Sequence, residues 1–205
     1  ATQARALSDQ EVIRILEATR DHHWHALIVL ALHTGMRRGE LAGLRWSDID
    51  FHTDEIHVQQ QHNVFDEDDD LKSIHSDRII PISKTARTAL MDHGINETDR
   101  LATLNNPHVD RVFTGKTGQP IDPRSMSRWY NQRAKDAQLS DTGWHAFRHT
   151  FASRALAAGV PIVDVSEWLG HSDPSITLAL YSWALPGEKS NKIDLLDQHL
   201  NDLNT

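Results

Sequence analysis

The apolar residues of this chain recur mostly in helical rhythm. Ser8 and Glu11 in "SDQE" have the spacing of a reciprocal helix cap, and Val12, Ile13, Leu16 and Ala18 follow as the apolar positions of a first helix. "HHWHALIVLALHTG" is almost continuously apolar, which predicts a buried helix stopped near Gly35. "RRGELAGLR" reads as a short helix and "WSDID" as a turn. The rhythm then changes: "EIHVQQQ" and "DRIIPIS" alternate as strands around a polar loop. Ser83 caps a helix expected to run through Met91, and "VDRVFTG" ends in a strand before a turn marked by Gly115 and Gly118. Residues 123 to 138 form a basic helix with Pro123 at its favoured first position. A helix over 144–158 ends at Gly159, another runs from Pro161 to Leu169, and a short one restarts after Asp173-Pro174 and leads to Tyr181. A last helix is expected over 187–202. The pattern predicts one mainly α domain with a small antiparallel β-sheet, an α+β fold.

One stretch breaks the logic of burial. "TGWHAFRHTFAS" places His145, Arg148 and His149 inside a helix that otherwise looks packed. Residues three and four apart share a helix face. These three nitrogen-bearing side chains therefore fall on one side, with Trp144, Phe147, Phe151, Ala155 and Ala158 on the other. The polar side needs an anion or a metal to face.

Composition narrows the choice. The chain has 205 residues, 39% of them hydrophobic, enough for one sizeable core. It has no cysteine, so neither disulfides nor thiolate metal sites enter. No apolar run is long enough to span a bilayer and the start carries no signal-peptide pattern, so the expectation is a cytoplasmic protein without a membrane partner. The formal charge of −8 argues against a nucleic-acid partner until its distribution is considered. Residues 46 to 70 hold nine acids and no Lys or Arg, whereas residues 121 to 160 hold six bases against three acids. A locally basic face can bind phosphate on an acidic protein.

The motifs favour the anion. His145 and His149 have the spacing of a helical two-histidine zinc site, but Ala146 stands where the zinc-protease motif needs a glutamate, so no metal site is assigned. "GKT" at Gly115 lacks the earlier glycine of a phosphate-binding loop, since position 110 is Asp110. "TGMRRGEL" sets Arg37 just past a helix end with Glu40 three residues on, an arrangement in which a carboxylate orients an arginine for bidentate contact with phosphate oxygens. "LGHSDPSITLALYSW" follows with Gly170, His171 and Tyr181, and a tyrosine hydroxyl can act as a nucleophile when its proton is drawn off.

Taken in order, these boxes resemble the tyrosine recombinase, or phage integrase, family. "TGMRRGEL", "HAFRHTFAS" and "LGHSDPSITLALYS" look like its three signature boxes, and "LKSIHSDRIIPI" is similar to its lysine hairpin; the likeness runs from "RALSDQEVIRIL" to "LALYSW". The resemblance implies the catalytic-domain fold over residues 1–185, followed by a tail over 186–205 that docks in trans, and an N-terminal core-binding domain lying outside this chain. It implies a site-specific recombinase that cleaves and rejoins double-stranded DNA through a 3′-phosphotyrosyl intermediate, without cofactor or metal, as a monomer that assembles into a homo-tetramer on DNA.

By the same resemblance Tyr181 is the nucleophile, and Arg37 and Arg148 clamp the phosphate. His145 and His171 add hydrogen bonds, with His145 favoured to accept the tyrosine proton. Lys72 is the general acid, with Lys84 as fallback, and Glu40 orients Arg37. Arg38, Arg78, Arg124 and Arg128 are expected to touch DNA. His149 is read as a support for the helix face, and Trp183, where many relatives have histidine, receives no role. The acidic run Asp66 to Asp70 would repel DNA if held against it. Three readings compete: a type IB topoisomerase-like relaxing enzyme, a catalytically inactive DNA-binding module, and a histidine-ligated metal hydrolase.

Overall fold

The computed structural model describes residues 5–59, 77–104, 110–139 and 142–185. The expected lysine hairpin around Lys72, the acidic run Asp66 to Asp70 and the tail over 186–205 lie outside the described residues. Eight α-helices occur among those described: α1 Asp9–Thr19, α2 His25–Thr34, α3 Arg38–Gly43, α4 Lys84–Thr103, α5 Pro123–Asp136, α6 Trp144–Ala157, α7 Ile162–Leu169 and α8 Pro174–Tyr181. Three strands, β1 Ile49–Asp50, β2 Glu55–Val58 and β3 Arg78–Pro81, form one antiparallel sheet in that order, with Ile49 opposite Ile56, Ile56 opposite Ile80 and Val58 opposite Arg78. The fold is mainly helical with a small antiparallel sheet, as the pattern predicts.

The local signals act as expected at most element ends. Ser8 accepts from the Glu11 backbone N–H at 3.3 Å while the Glu11 carboxylate accepts from the Ser8 N–H at 2.9 Å, the reciprocal cap of α1. Asp122 caps α5 through the N–H groups of Arg124 and Ser125, and Pro123 occupies its first turn. The buried residues of α1 are Glu11, Val12, Ile15 and Thr19, whereas the apolar Ile13 is 55% exposed.

Helix α2 is the axis of the molecule. Leu27, Ile28 and Leu30 have no solvent exposure, and α2 packs on α1, α4 and α6. Fully burying side chains of this kind is worth roughly 1.5–3 kcal/mol each. The main core joins this helix to α1, α3, α5, the sheet and the start of α6, and a smaller cluster of Ala152, Leu156, Val165, Leu169 and Tyr181 joins α6, α7 and α8.

Three elements differ from the pattern. Helix α4 continues twelve residues past Met91, to Thr103, through Gly94. A Cβ at Gly94 would lie 3.2 Å from the Trp46 ring, so the glycine lets the helix pass closely under that indole. "VDRVFTG" makes only isolated bridges, Arg45 to Arg111 and Thr114 to Pro120, around the expected Gly115–Gly118 turn. "WSDID" contains a 3-10 turn and then the two residues of β1. Among the described residues no helix is long and apolar enough to cross a membrane.

Candidate active site

Glu40 is the hub of the site. Gly35 ends α2 in the left-handed conformation, at φ 62°, and the chain turns at once into α3 with Arg37 preceding its first residue. From the first turn of α3 the Glu40 carboxylate accepts the Arg37 backbone N–H at 2.7 Å and its Nη1 at 3.1 Å. The same carboxylate accepts both ends of the Arg78 fork from β3, Nη1 at 2.8 Å and Nη2 at 2.7 Å. Burial pushes the Glu40 carboxyl up, but Arg78, then Arg37 and Arg148, outweigh that and hold it at about 2. It is ionised at any neutral pH.

Arg78, expected to touch DNA, is enclosed in this structure. Its side chain is 2% exposed, its fork is taken by Glu40, and its Nε donates to the Trp168 carbonyl at 2.7 Å. A guanidinium so enclosed holds β3 to α3 and α7.

The two arginines expected to clamp phosphate meet at one turn. Arg148 on α6 is 8% exposed; its Nη1 donates to the Gly35 carbonyl at 3.0 Å and its Nη2 to the Leu169 carbonyl. Arg37 Nη2 donates to the next carbonyl, Gly170, at 3.4 Å. Both guanidiniums therefore rest on successive carbonyls at the C-terminal end of α7, and Arg148 also on that of α2, where helix dipoles concentrate partial negative charge. Gly170 makes this approach possible. Its φ is +67°, and a Cβ there would sit 3.1–3.2 Å from the Arg78 side chain. Three guanidiniums against one carboxylate leave a surplus of positive charge. Burial and the neighbouring Arg37 lower Arg148 to about 9, so it stays a cation at neutral pH in a field that an anion would relieve.

Tyr181 closes the site from α8. The residue is 2% exposed, and its hydroxyl shares a 2.8 Å hydrogen bond with His149 Nδ1, the rings 5.4 Å apart. Burial raises the phenol above its ordinary value although Arg148 opposes the shift. Burial lowers His149, with His145 and Arg148 adding to the effect, so its imidazole is neutral at pH 7. His171, in the turn after α7, is half-buried, and its Nδ1 shares a 2.7 Å hydrogen bond with Thr177 Oγ1. Burial, then Arg148 and Arg37, lower it to about 4. Arg37, Glu40, Arg148, His171 and Tyr181, scattered over 145 residues of sequence, are thus brought around the ends of α2 and α7. A family model described as "Phage integrase family" matches residues 5–186.

The chain belongs to the phage integrase family. It is 34% identical over 213 residues to a "Tyrosine recombinase XerC-like" protein of Caldanaerobacter subterraneus subsp. tengcongensis, a match covering 96% of this chain and 54% of that one. It is 27% identical over 189 residues to an "Integrase" of Streptomyces ambofaciens, covering 87% of this chain and 49% of the other. The chain spans about half the length of these curated relatives. Among solved structures it resembles the XerA recombinase, with a TM-score of 0.69 at 23% identity over 97% of this chain and 66% of that one. It also resembles the catalytic domain of bacteriophage HP1 integrase, with a TM-score of 0.63 at 18% identity over 94% and 95% of the two chains. At these identities the structural likeness establishes the fold.

Within this integrase-family fold the remaining expected residues are dispersed. His145 lies one turn before His149 on α6 and is exposed. Helix α6 does not divide into one polar and one apolar face: Arg148 is buried like Phe147, and Ala158, expected to pack, is exposed. The helix is enclosed by α2 and α7 on different sides, so its charged residue is held internally. Arg38 is half-buried and donates to Ser127 Oγ at 2.9 Å. Arg124 and Arg128 are exposed on α5. Lys72 lies outside the described residues, and Lys84 is the exposed first residue of α4. Trp183 is 70% exposed. Among the described residues no group of three or more His, Asp or Glu is placed to hold a metal. The partner of Tyr181 is the residue that sequence reasoning missed. His149 directly follows Arg148, but the tyrosine it meets is 32 residues further on, and only the packing of α8 on α6 joins them.

Proposed function

We propose that this chain is the catalytic part of a site-specific DNA recombinase that cuts and rejoins strands through a 3′-phosphotyrosyl intermediate. The observation carrying the proposal is the convergence of Arg37 and Arg148 on consecutive carbonyls, 169 and 170, beside the buried phenol. Tyr181 Oη attacks the scissile phosphorus as its proton passes to an imidazole of the site, the bond to the 5′ oxygen breaks, and Lys72 supplies the proton that leaves with the 5′-hydroxyl. Arg37 and Arg148 stabilise charge on the non-bridging oxygens in the transition state. His145 and His171 add hydrogen bonds there. Arg38, Arg124 and Arg128 contact the DNA backbone. Reversal by a 5′-hydroxyl of another strand completes exchange, because the phosphotyrosyl bond retains the energy of the phosphodiester. The recombinase names of the relatives support strand exchange over relaxation alone. Assembly on DNA is proposed to be tetrameric, with the tail over 186–205 docking on a neighbouring copy.

The test is a nicked suicide duplex that traps the covalent complex. The expected result is a DNA–protein adduct mapped to Tyr181, absent in Tyr181→Phe, with Arg148→Ala forming it roughly a hundredfold to a thousandfold more slowly. An adduct on another residue would overturn the assignment. An adduct that supports relaxation of supercoils but never exchange between two duplexes would select the topoisomerase-like reading.

A further inference from the structure

The resemblance gives the tyrosine proton to His145, yet the side chain in contact with the phenol is His149. We propose that His149 Nδ1 is the atom that receives the Tyr181 proton during strand cleavage. The inference rests on the recombinase reading and adds to it a residue that this reading leaves as a support of the helix.

Three observations carry it. First, His149 Nδ1 is 2.8 Å from Tyr181 Oη, within direct proton-transfer distance, whereas among the described residues no side-chain hydrogen bond reaches the exposed His145. Second, the protonation states fit. The phenol is raised by burial and so holds its proton at rest, and the imidazole is lowered and so keeps an unprotonated nitrogen lone pair. Third, the groups around this pair suit a concerted transfer. Arg148 and His145 face His149 from its own helix, Tyr181 faces it from α8, and His171 lies near it at the turn after α7. Without ligand this neighbourhood disfavours an imidazolium. A phosphodiester bound by Arg37 and Arg148 brings negative charge beside the ring and removes that objection, so proton acceptance becomes favourable when substrate is present. As the Oη–P bond forms, the O–H bond pair stays on the tyrosine oxygen, the proton passes to Nδ1, and the P–O5′ pair leaves with the 5′ oxygen, which Lys72 protonates.

The idea requires that resting His149 carry its proton on Nε2. In the free protein, ¹⁵N spectra of labelled histidine should show His149 Nδ1 unprotonated at neutral pH, with a shift that changes in Tyr181→Phe. An Nδ1–H tautomer would overturn the proposal without any DNA. The kinetic test uses a nicked duplex isolated from a randomised pool by covalent capture on the wild-type protein. His149→Ala should lower the single-turnover rate of adduct formation on the order of a hundredfold, with DNA affinity unchanged and partial rescue by added imidazole. His149→Asn can accept the phenol's hydrogen bond but cannot take its proton, and should be as slow as His149→Ala. Wild-type cleavage by either variant overturns the proposal; full activity of His149→Asn would reduce His149 to a positioning residue. If the wild-type protein captures no duplex, the recombinase reading fails, while the tautomer measurement still decides the state of the pair.

Discussion

A buried carboxylate that serves two arginines is the most exposed point of failure among the single residues. Glu40 has a side chain with no solvent exposure, and Arg78 retains 2%. Removing one partner of such a pair strands the other charge in the interior, which costs about 3–5 kcal/mol. Glu40→Ala should therefore lower unfolding stability by that amount in urea titration as well as disordering Arg37; a loss below 1 kcal/mol, roughly that of a surface pair, would contradict the geometry. Acid should act earlier through other residues. Glu40 is lowered in the folded state, so its contribution is present above its unfolded value of about 4.3 and lost as pH falls toward about 2. His23 and His171 are lowered to about 4, chiefly by burial. Below about 6.5 the unfolded chain binds protons at these rings that the folded one refuses, so stability declines from there downward. The urea midpoint should begin to drop between pH 6.5 and 5, and a flat profile down to pH 4.5 would refute this assignment. The residue scale also marks the limit of what a sequence displays. The pairing of Arg37 with Glu40 was legible, since it is three residues long, whereas the pairing of Arg78 with Glu40 and of His149 with Tyr181 spans 38 and 32 residues and depends on packing.

Among the elements, ends matter more than middles. The carbonyls that hold Arg37, Arg78 and Arg148 belong to the last two residues of α7, to Gly170 that closes it and to Gly35 that closes α2. Gly35 combines φ +62° with a position where a Cβ would lie 2.6 Å from Phe151 Cδ1 and 3.0 Å from Leu169 Cδ2. Gly35→Ala therefore meets both a left-handed penalty and an overpacked contact, together about 2–4 kcal/mol. Its cost should appear as a lowered melting temperature and should be partly relieved by Phe151→Leu; an unchanged melting temperature would show that α2 and α6 are not apposed as described. Element existence was readable because caps and apolar spacing are local: Ser8 and Ser83 cap helices where expected, and Asp122 and Asp173 cap those that begin at Pro123 and Pro174. The extent of α4 was not, because Gly94 looks like a stop until Trp46 is laid over it. The faces of α6 were misread for a related reason. Periodicity assumes one buried side, and this helix is covered on several.

At the scale of the whole molecule, charge is segregated. The chain is formally −8, yet its centre gathers three guanidiniums around one carboxylate, and α5 exposes Arg124 and Arg128. Binding to duplex DNA should consequently weaken steeply as salt is raised, through release of counterions, in spite of the net charge. Fluorescence anisotropy at several salt concentrations would check this, and affinity that is indifferent to salt would argue against a phosphate-facing surface.

The sheet carries one more consequence. Val58 pairs with Arg78, and Arg78 is bolted to Glu40, so the described ends of β2 and β3 are tied to each other and to α3. Replacing Lys72 with alanine touches neither of these ties, so a loss of strand cleavage in that variant would be the lysine's own contribution and not a failure of the frame.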